Sequence, residues 1–389
     1  MTGEITNINN SWKPKKTLRL QGITDNTAQT LLEHCLSEGY RDIYLQSNDY
    51  IRGKLGTNYV LISSETITHK ELIELAEQIS SKGQVNQVAL GKSSGGRKII
   101  SLKENQNKVR SFRYSISQIS QGLSKGLDIA IRPIAEFAPT VKDVGLEKQF
   151  VNHVKNIWKG LVLIIGATGE GKTSTLAALI REVLETPSNK RILEFARPPE
   201  FDYSNLEIHP SNSICHHEIF ESQSSGGDLV SYDEANAMAM RKGADWFAIG
   251  EMTEPESFRS AIVLANTGHI VSSTLHANSV SAGFARVYRM FPSDERDEVL
   301  YGLINEGEIF ASQKLVDRAG GGLIAIREFL INTADSKRRL KQCTSLSSII
   351  ETVENIMFEQ GTTFKQRAFS LLNSGQITKE TYDKFMISI

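Results

Sequence analysis

The stretch Gly166-Ala167-Thr168-Gly169-Glu170-Gly171-Lys172-Thr173 follows the apolar run Leu161-Val162-Leu163-Ile164-Ile165 and precedes a helix-like segment from Ser174 to Leu184. A buried strand that ends in glycines lets the backbone fold around one anion, with several N–H groups pointing inward at a helix N-terminus. The order strand, glycine loop, helix therefore places an α/β nucleotide-binding layer in the middle of the chain. In such a P-loop Gly166, Thr168, Gly169, Gly171 and Ser174 surround the phosphates. Lys172 reaches the β- and γ-phosphates of ATP, and the Thr173 hydroxyl holds Mg²⁺.

Further strands of the same layer follow. Lys190 to Phe195 reads as a strand that runs into Ala196-Arg197-Pro198-Pro199-Glu200-Phe201. Carboxylates at the C-terminal ends of parallel strands lie where open α/β sheets bind ligands, so Glu194 and Glu200 are both candidates to touch Mg²⁺ or its waters. The polar stretch Ser211 to Gly227 contains Cys215-His216-His217, but no fourth ligand stands at a spacing that suits zinc. Asp245 to Glu251 is the third strand. Gly250 occupies the place of the usual aspartate, which leaves Glu251 as the candidate general base, in contact with Mg²⁺ through water. A fourth strand, Gly268 to His276, has a histidine at each end. His269 and His276 either fill core and edge positions or sense the γ-phosphate and orient Glu251.

The N-terminal third reads differently. After a polar leader of a dozen residues, an amphipathic helix from Ala28 to Gly39 gives way to strands at Asp42–Gln46 and Tyr59–Ser63, a helix from His69 to Ser81, and a strand at Lys98–Ser101. Ser93-Ser94-Gly95-Gly96-Arg97 reads as a hairpin or loop tip. Several short strands around one or two helices form a small α+β domain. Arg113 and Arg132 each sit in a strand-like segment. They serve either as solvated edge charges or as guanidiniums that neutralise a γ-phosphate. The prolines of Pro133 to Pro139 mark an interdomain linker. With 389 residues, two or three domains are expected, divided as 1–132, a linker at 133–145, 146–344, and a helical tail at 345–389 with Thr378 as an N-cap.

Charge and cysteine usage exclude some classes. The chain has 44 Lys+Arg against 45 Asp+Glu, which argues against a protein that coats nucleic acid, and no direct sequence-specific nucleic-acid partner is expected. Its three scattered cysteines point to a reducing compartment. No apolar run approaches the roughly 18 residues of a membrane span. A cytoplasmic protein, peripheral to a membrane only through partners, is expected.

Gly166 to Thr173, Ile249-Gly250-Glu251-Met252, Thr267-Gly268-His269 and Ser273-Thr274-Leu275-His276-Ala277-Asn278 stand in the order and spacing of the secretion ATPases of type II secretion, type IV pili and type IV secretion. Tyr40-Arg41-Asp42-Ile43-Tyr44-Leu45 resembles that superfamily's N-domain signature. Ser312-Gln313-Lys314-Leu315-Val316 and Ala325-Ile326-Arg327-Glu328-Phe329-Leu330 resemble two segments near its end. The resemblance covers residues 28 to 335. It implies a PAS-like α+β domain, a RecA-like P-loop domain and a short helical tail, with ATP and Mg²⁺ as ligands. It further implies Lys172 and Thr173 on ATP and Mg²⁺, Glu251 as the acid of the Walker B strand, His269 and His276 as the His box, and Arg113 and Arg132 closing onto the phosphates.

The chain departs from the family pattern at the Asp box. Ala196 and Arg197 replace its first acidic pair, so either Glu194 takes over or Glu200 and Glu251 act alone. Thr253-Glu254 also replaces a common Arg-Asp. No four-cysteine metal module is present, as in the pilus-retraction branch and the DotB- and TraJ-type branches of type IVB secretion and IncI-type conjugation. The resemblance implies a hexameric ring that docks on inner-membrane secretion, conjugation or pilus proteins and a secretion coupling complex, with a slow ATPase driving domain rotation. Two other readings stay open: a nucleic-acid motor, and a nucleotide-gated assembly factor with little turnover.

Overall fold

The computed structural model describes residues 18, 22–55, 58–103, 105–122, 124–135, 137–196, 199–219, 234, 238 and 241–389. The expected leader, Arg197 and Pro198 of the altered Asp box, and the end of the polar stretch to Gly227 lie outside these residues. The described chain falls into two compact units, the second beginning at Phe137 and running to Ile389.

In the first unit, helix α1 (Thr27–Ser37) precedes strands β1 (Asp42–Gln46), β2 (Asp49–Leu55) and β3 (Asn58–Ile67). Helices α2 (His69–Ile79) and α3 (Lys82–Ala89) follow, then β4 (Ser94–Leu102), β5 (Asn105–Gln121) and β6 (Ser124–Pro133). The described strands form one antiparallel sheet in the order β3-β2-β1-β6-β5-β4. Alternation decides which face is buried. Ile43, Leu45, Phe112, Ile116, Ile129 and Ile131 pack with Leu31, Leu32, Leu72 and Leu75 of the helices. Thr68 starts α2 through a capping box with Glu71. The segment expected as a loop tip at Ser93–Arg97 is instead the start of β4. Its glycine pair signals a turn by propensity, but Gly95 is held in register opposite Ser115, where an added Cβ would come within 3.2 Å of the Tyr114 carbonyl.

The second unit opens with α4 (Lys148–Asn156), β7 (Gly160–Ile165), α5 (Lys172–Glu185), β8 (Arg191–Ala196) and β9 (Ser213–Glu218). Next come β10 (Trp246–Ile249), α6 (Pro255–Asn266), β11 (Ile270–Leu275), α7 (Val280–Met290), α8 (Arg296–Glu306), β12 (Gly307–Asp317) and β13 (Leu323–Ile331). The chain ends with α9 (Ala334–Lys341), α10 (Leu346–Gln360), α11 (Phe364–Asn373) and α12 (Lys379–Ser388). The strand order among the described residues is β13-β12-β7-β11-β10-β8-β9. All neighbouring pairs from β12 to β9 are parallel, and β13 is antiparallel to β12. Every residue of β7 and β11 is buried, as expected of a parallel sheet covered on both faces.

Two findings refine the sequence reading of this unit. The polar stretch after Ser211 holds an edge strand, β9, whose polarity follows from its place at the rim of the sheet. Of the expected tail, α10 contributes Ile349, Val353, Ile356 and Met357 to the main core, whereas α11 and α12 rest on a small separate cluster. Thr378 caps α12 by accepting from the Thr381 N–H. Among the described residues no helix is long and apolar enough to cross a membrane.

Candidate functional site

The P-loop springs from the interior strand β7, between β12 and β11. The Gly166 N–H donates to the Leu275 carbonyl of β11 at 3.1 Å, which pins the start of the loop to its neighbour. Gly169 and Gly171 take left-handed conformations, at φ +86° and +74°. Only glycine adopts these without strain, and Gly171 is also the N-cap of α5. The first N–H groups of α5 therefore face the loop interior without partners in the helix, which suits an anion. Thr168 is exposed in the loop, and Thr173 and Ser174 lie in the first turn of α5. These residues fit a triphosphate, and Thr173 is the residue that would offer a hydroxyl to Mg²⁺.

Lys172 is only 7% exposed. Its Nζ donates to the Ala167 carbonyl at 2.9 Å and to His276 Nδ1 at 3.3 Å. Burial pushes the ammonium below its ordinary pKa, while the nearby charges of Glu251, Glu170 and Glu200 pull it back up. His276 follows β11, and its Nε2 lies 2.7 Å from Glu251 Oε1. Lys172 has only protons to offer, so His276 accepts from it at Nδ1. Thr274 Oγ1 donates to the Gly250 carbonyl at 2.7 Å, and the Met252 N–H donates to the Thr274 carbonyl at 3.1 Å. These bonds fix the backbone on both sides of Glu251.

The remaining candidates separate. Glu200 is exposed and close enough to Lys172 to act on its charge. Glu194 is level with Ala248 in the β8–β10 register, three positions before Glu251. Its carboxylate is taken up by His216 Nδ1 of β9 at 2.5 Å, with Tyr203 stacked on that imidazole at 5.5 Å. His269 sits before β11, at the end remote from His276. It packs on Phe247 with ring centroids 5.0 Å apart, and its Nδ1 donates to the Leu264 carbonyl at 3.0 Å. Among the described residues no cluster of ligating side chains forms a metal site of its own.

In the first unit, Arg113 and Arg132 are register partners on β5 and β6, and both are exposed. Arg132 Nε donates to Asp42 Oδ1 at 2.5 Å. Arg97 extends the row as the β4 partner of Arg113 and donates to Ser111 Oγ at 2.7 Å. Sequence reasoning missed Arg97 because the adjacent glycines were assigned to a turn. A strand reading of 94–102 would have aligned it with Arg113.

Residues 23–350 match the family described as type II/IV secretion system protein. The chain belongs to that family. Within it, the chain is 30% identical over 230 residues to the type IV pilus retractation ATPase PilT of Pseudomonas aeruginosa, covering 59% of this chain and 63% of that protein. It is 29% identical over 272 residues to the type IV pilus ATPase PilU of the same species, covering 69% and 66%. The chain thus spans just under two thirds of these relatives. The ATPase DotB of Legionella pneumophila shares the fold with a TM-score of 0.84 at 23% identity, over 95% of this chain and 98% of that one. The pilus retraction motor PilT with bound ADP gives 0.75 at 20% identity, over 92% and 96%. The six-stranded unit followed by a P-loop sheet is thus the architecture of secretion-family ATPases.

Proposed function

We propose that this secretion-family chain hydrolyses ATP and passes the resulting movement to a type IV secretion machine of the type IVB or conjugative kind. The observation that carries this reading is the continuous bridge Lys172–His276–Glu251, which joins the phosphate-binding lysine to the candidate base through one imidazole. Glu251 accepts a proton from the attacking water, and His276, with Nε2 2.7 Å from Oε1, stands against the carboxylate. Lys172 turns from the Ala167 carbonyl to the β- and γ-phosphates. Thr173, Glu251 and Glu200 are the residues that would hold Mg²⁺, which would supply neutralisation of phosphate charge. Arg113 and Arg132 meet the γ-phosphate and leave it after hydrolysis, which converts a local charge change into domain rotation. The working form is a hexameric ring in the cytoplasm, attached to the inner membrane through secretion proteins.

The likeness to DotB across nearly the whole chain favours the type IVB assignment. The 30% identity to the pilus retractation ATPase favours pilus retraction as the second reading. Phosphate release by the purified chain and by Glu251→Gln, fractionated by size with light scattering, tests the proposal. Activity in a hexamer-sized peak, absent from the variant, is the expected result. Nucleotide binding without turnover in both proteins would replace the motor with a nucleotide-gated assembly factor. Restoration of pilus retraction, but not of secretion, in strains lacking each ATPase would select the second reading.

A further inference from the structure

The segments Ser312–Val316 and Ala325–Leu330 lie on the adjacent strands β12 and β13, where Gln313 and Arg327 are register partners. Both are only 1% exposed. Gln313 Nε2 donates to the Glu170 carbonyl inside the P-loop, and the Leu315 N–H donates to the Glu170 carboxylate. Gln313 Oε1 accepts from Thr175 Oγ1 of α5 at 2.8 Å and from Arg327 Nε at 3.1 Å. Arg327 also donates to the Val144 and Gly145 carbonyls and to Thr175 Oγ1. Its counter-charge is Glu147, at 3.8 Å, whose other oxygen accepts from Arg367 of α11 at 3.0 Å. A buried polar route thus runs from the P-loop to α11.

A second route reaches the same helix. Glu328, buried next to Arg327, accepts at 2.7 Å from the N–H of Val280, the first residue of α7 and four residues beyond His276. The N–H of Phe364, the first residue of α11, also acts on this carboxyl, lowering the pKa that burial raises. One carboxylate therefore caps the helix after the His276 loop and stands at the start of the tail helix. The apolar support of α11 and α12 is slight. Phe364, Ala368, Ile377 and Phe385 pack on Ile326 in a cluster separate from the main cores. A cavity of about 470 Å³, lined by Ala167, Glu170, Asn278, Lys384 and Phe385, separates α12 from the P-loop. These polar routes, the first of them crossing from Arg327 to Glu147 by a 3.8 Å ion pair, connect tail and site rather than direct packing by α12.

We propose that α11 is the coupling element of the nucleotide site and that Arg367 is its positioning residue. With α11 docked, the P-loop and the His276 loop are anchored at once. With α11 lifted, both lose an anchor, so whatever engages the tail controls nucleotide affinity. The proposal rests on reading Gly166–Thr173 as the ATP site. Coupling is reciprocal, so nucleotide binding must in turn hold α11 down.

Hydrogen exchange on the full chain, with and without saturating Mg²⁺ and a non-hydrolysable ATP analogue, tests this alongside a fluorescent-nucleotide titration. Amides of residues 364–388 should exchange about fivefold or more slowly with nucleotide. Arg367→Gln should abolish that protection and raise the KM for ATP about fivefold or more at unchanged kcat. Arg367→Lys should keep part of both effects. Tail exchange that ignores bound nucleotide, or an unchanged KM in Arg367→Gln, would overturn the coupling and leave the ATP site intact. No nucleotide binding by the unmodified chain would overturn both readings, and the titration separates the cases.

Discussion

The 2.7 Å contact between His276 Nε2 and Glu251 Oε1 links the end of β11 to the end of β10, and the other ring nitrogen faces Lys172 at 3.3 Å. His276 is therefore placed between the candidate base and the P-loop lysine. Glu251→Gln should retain ATP binding and lose roughly 10²–10⁴-fold in kcat. His276→Ala should lower kcat more than it changes KM. Single-turnover phosphate release checks both, and normal hydrolysis by Glu251→Gln would remove the carboxylate from the base role.

Lys172→Ala should eliminate nucleotide stabilisation. The unmodified chain should gain about 2.7 kcal/mol of stability at ATP a hundredfold above its Kd, and the variant none. Without nucleotide the variant should be no less stable than the parent, because burial already disfavours the ammonium. Thermal unfolding with and without Mg²⁺-ATP measures both effects.

Glu147 stands between two guanidiniums, Arg327 and Arg367. Removal of its charge leaves the buried Arg327 and the half-buried Arg367 without a counter-ion, at a cost of about 3–5 kcal/mol. Arg367→Gln leaves the Arg327–Glu147 pair intact and should cost far less. Urea unfolding of Glu147→Gln and Arg367→Gln should rank them in that order.

Burial pushes the Glu328 carboxyl from 4.5 up to about 7, aided by the charge of Glu354 and opposed by its backbone N–H bonds and Lys314. Between these values the folded chain binds a proton that the unfolded chain has released. Stability therefore falls as pH rises from 4.5 through about 7, by about 3 kcal/mol from this group. Glu328→Gln should flatten that part of the profile, measurable as the urea midpoint against pH. An unchanged slope would show that Glu328 does not titrate there.

Much of the second unit was legible in the chain itself. Leu161–Ile165 had to be buried, because no polar residue interrupts it, and the glycines at 169 and 171 mark where the backbone turns left-handed. Period-two alternation similarly located β1 and β6 of the first unit. The reading that placed Glu251 at a strand end also placed His276, since each follows a strand-like run. Polarity misled at two points. β9 reads as loop because an edge strand needs no apolar face, and β4 reads as a turn because two glycines lower strand propensity where only cross-strand pairing holds them.

The amino-acid order by itself determined the P-loop, the acids and histidines able to serve it, and the division into an antiparallel unit and a parallel one, since these depend on local periodicity and glycine placement. Which candidates meet was decided by tertiary structure alone. His269 and His276 flank one short strand, yet His276 reaches Glu251 and His269 packs at the far end; Glu194 is claimed by His216 across the β8–β9 register. The route from Gln313 through Arg327 and Glu147 to Arg367 likewise joins residues far apart in the chain. Such long-range pairings depend on sheet register and on the need to satisfy buried charge, and neither is encoded in any short stretch of sequence.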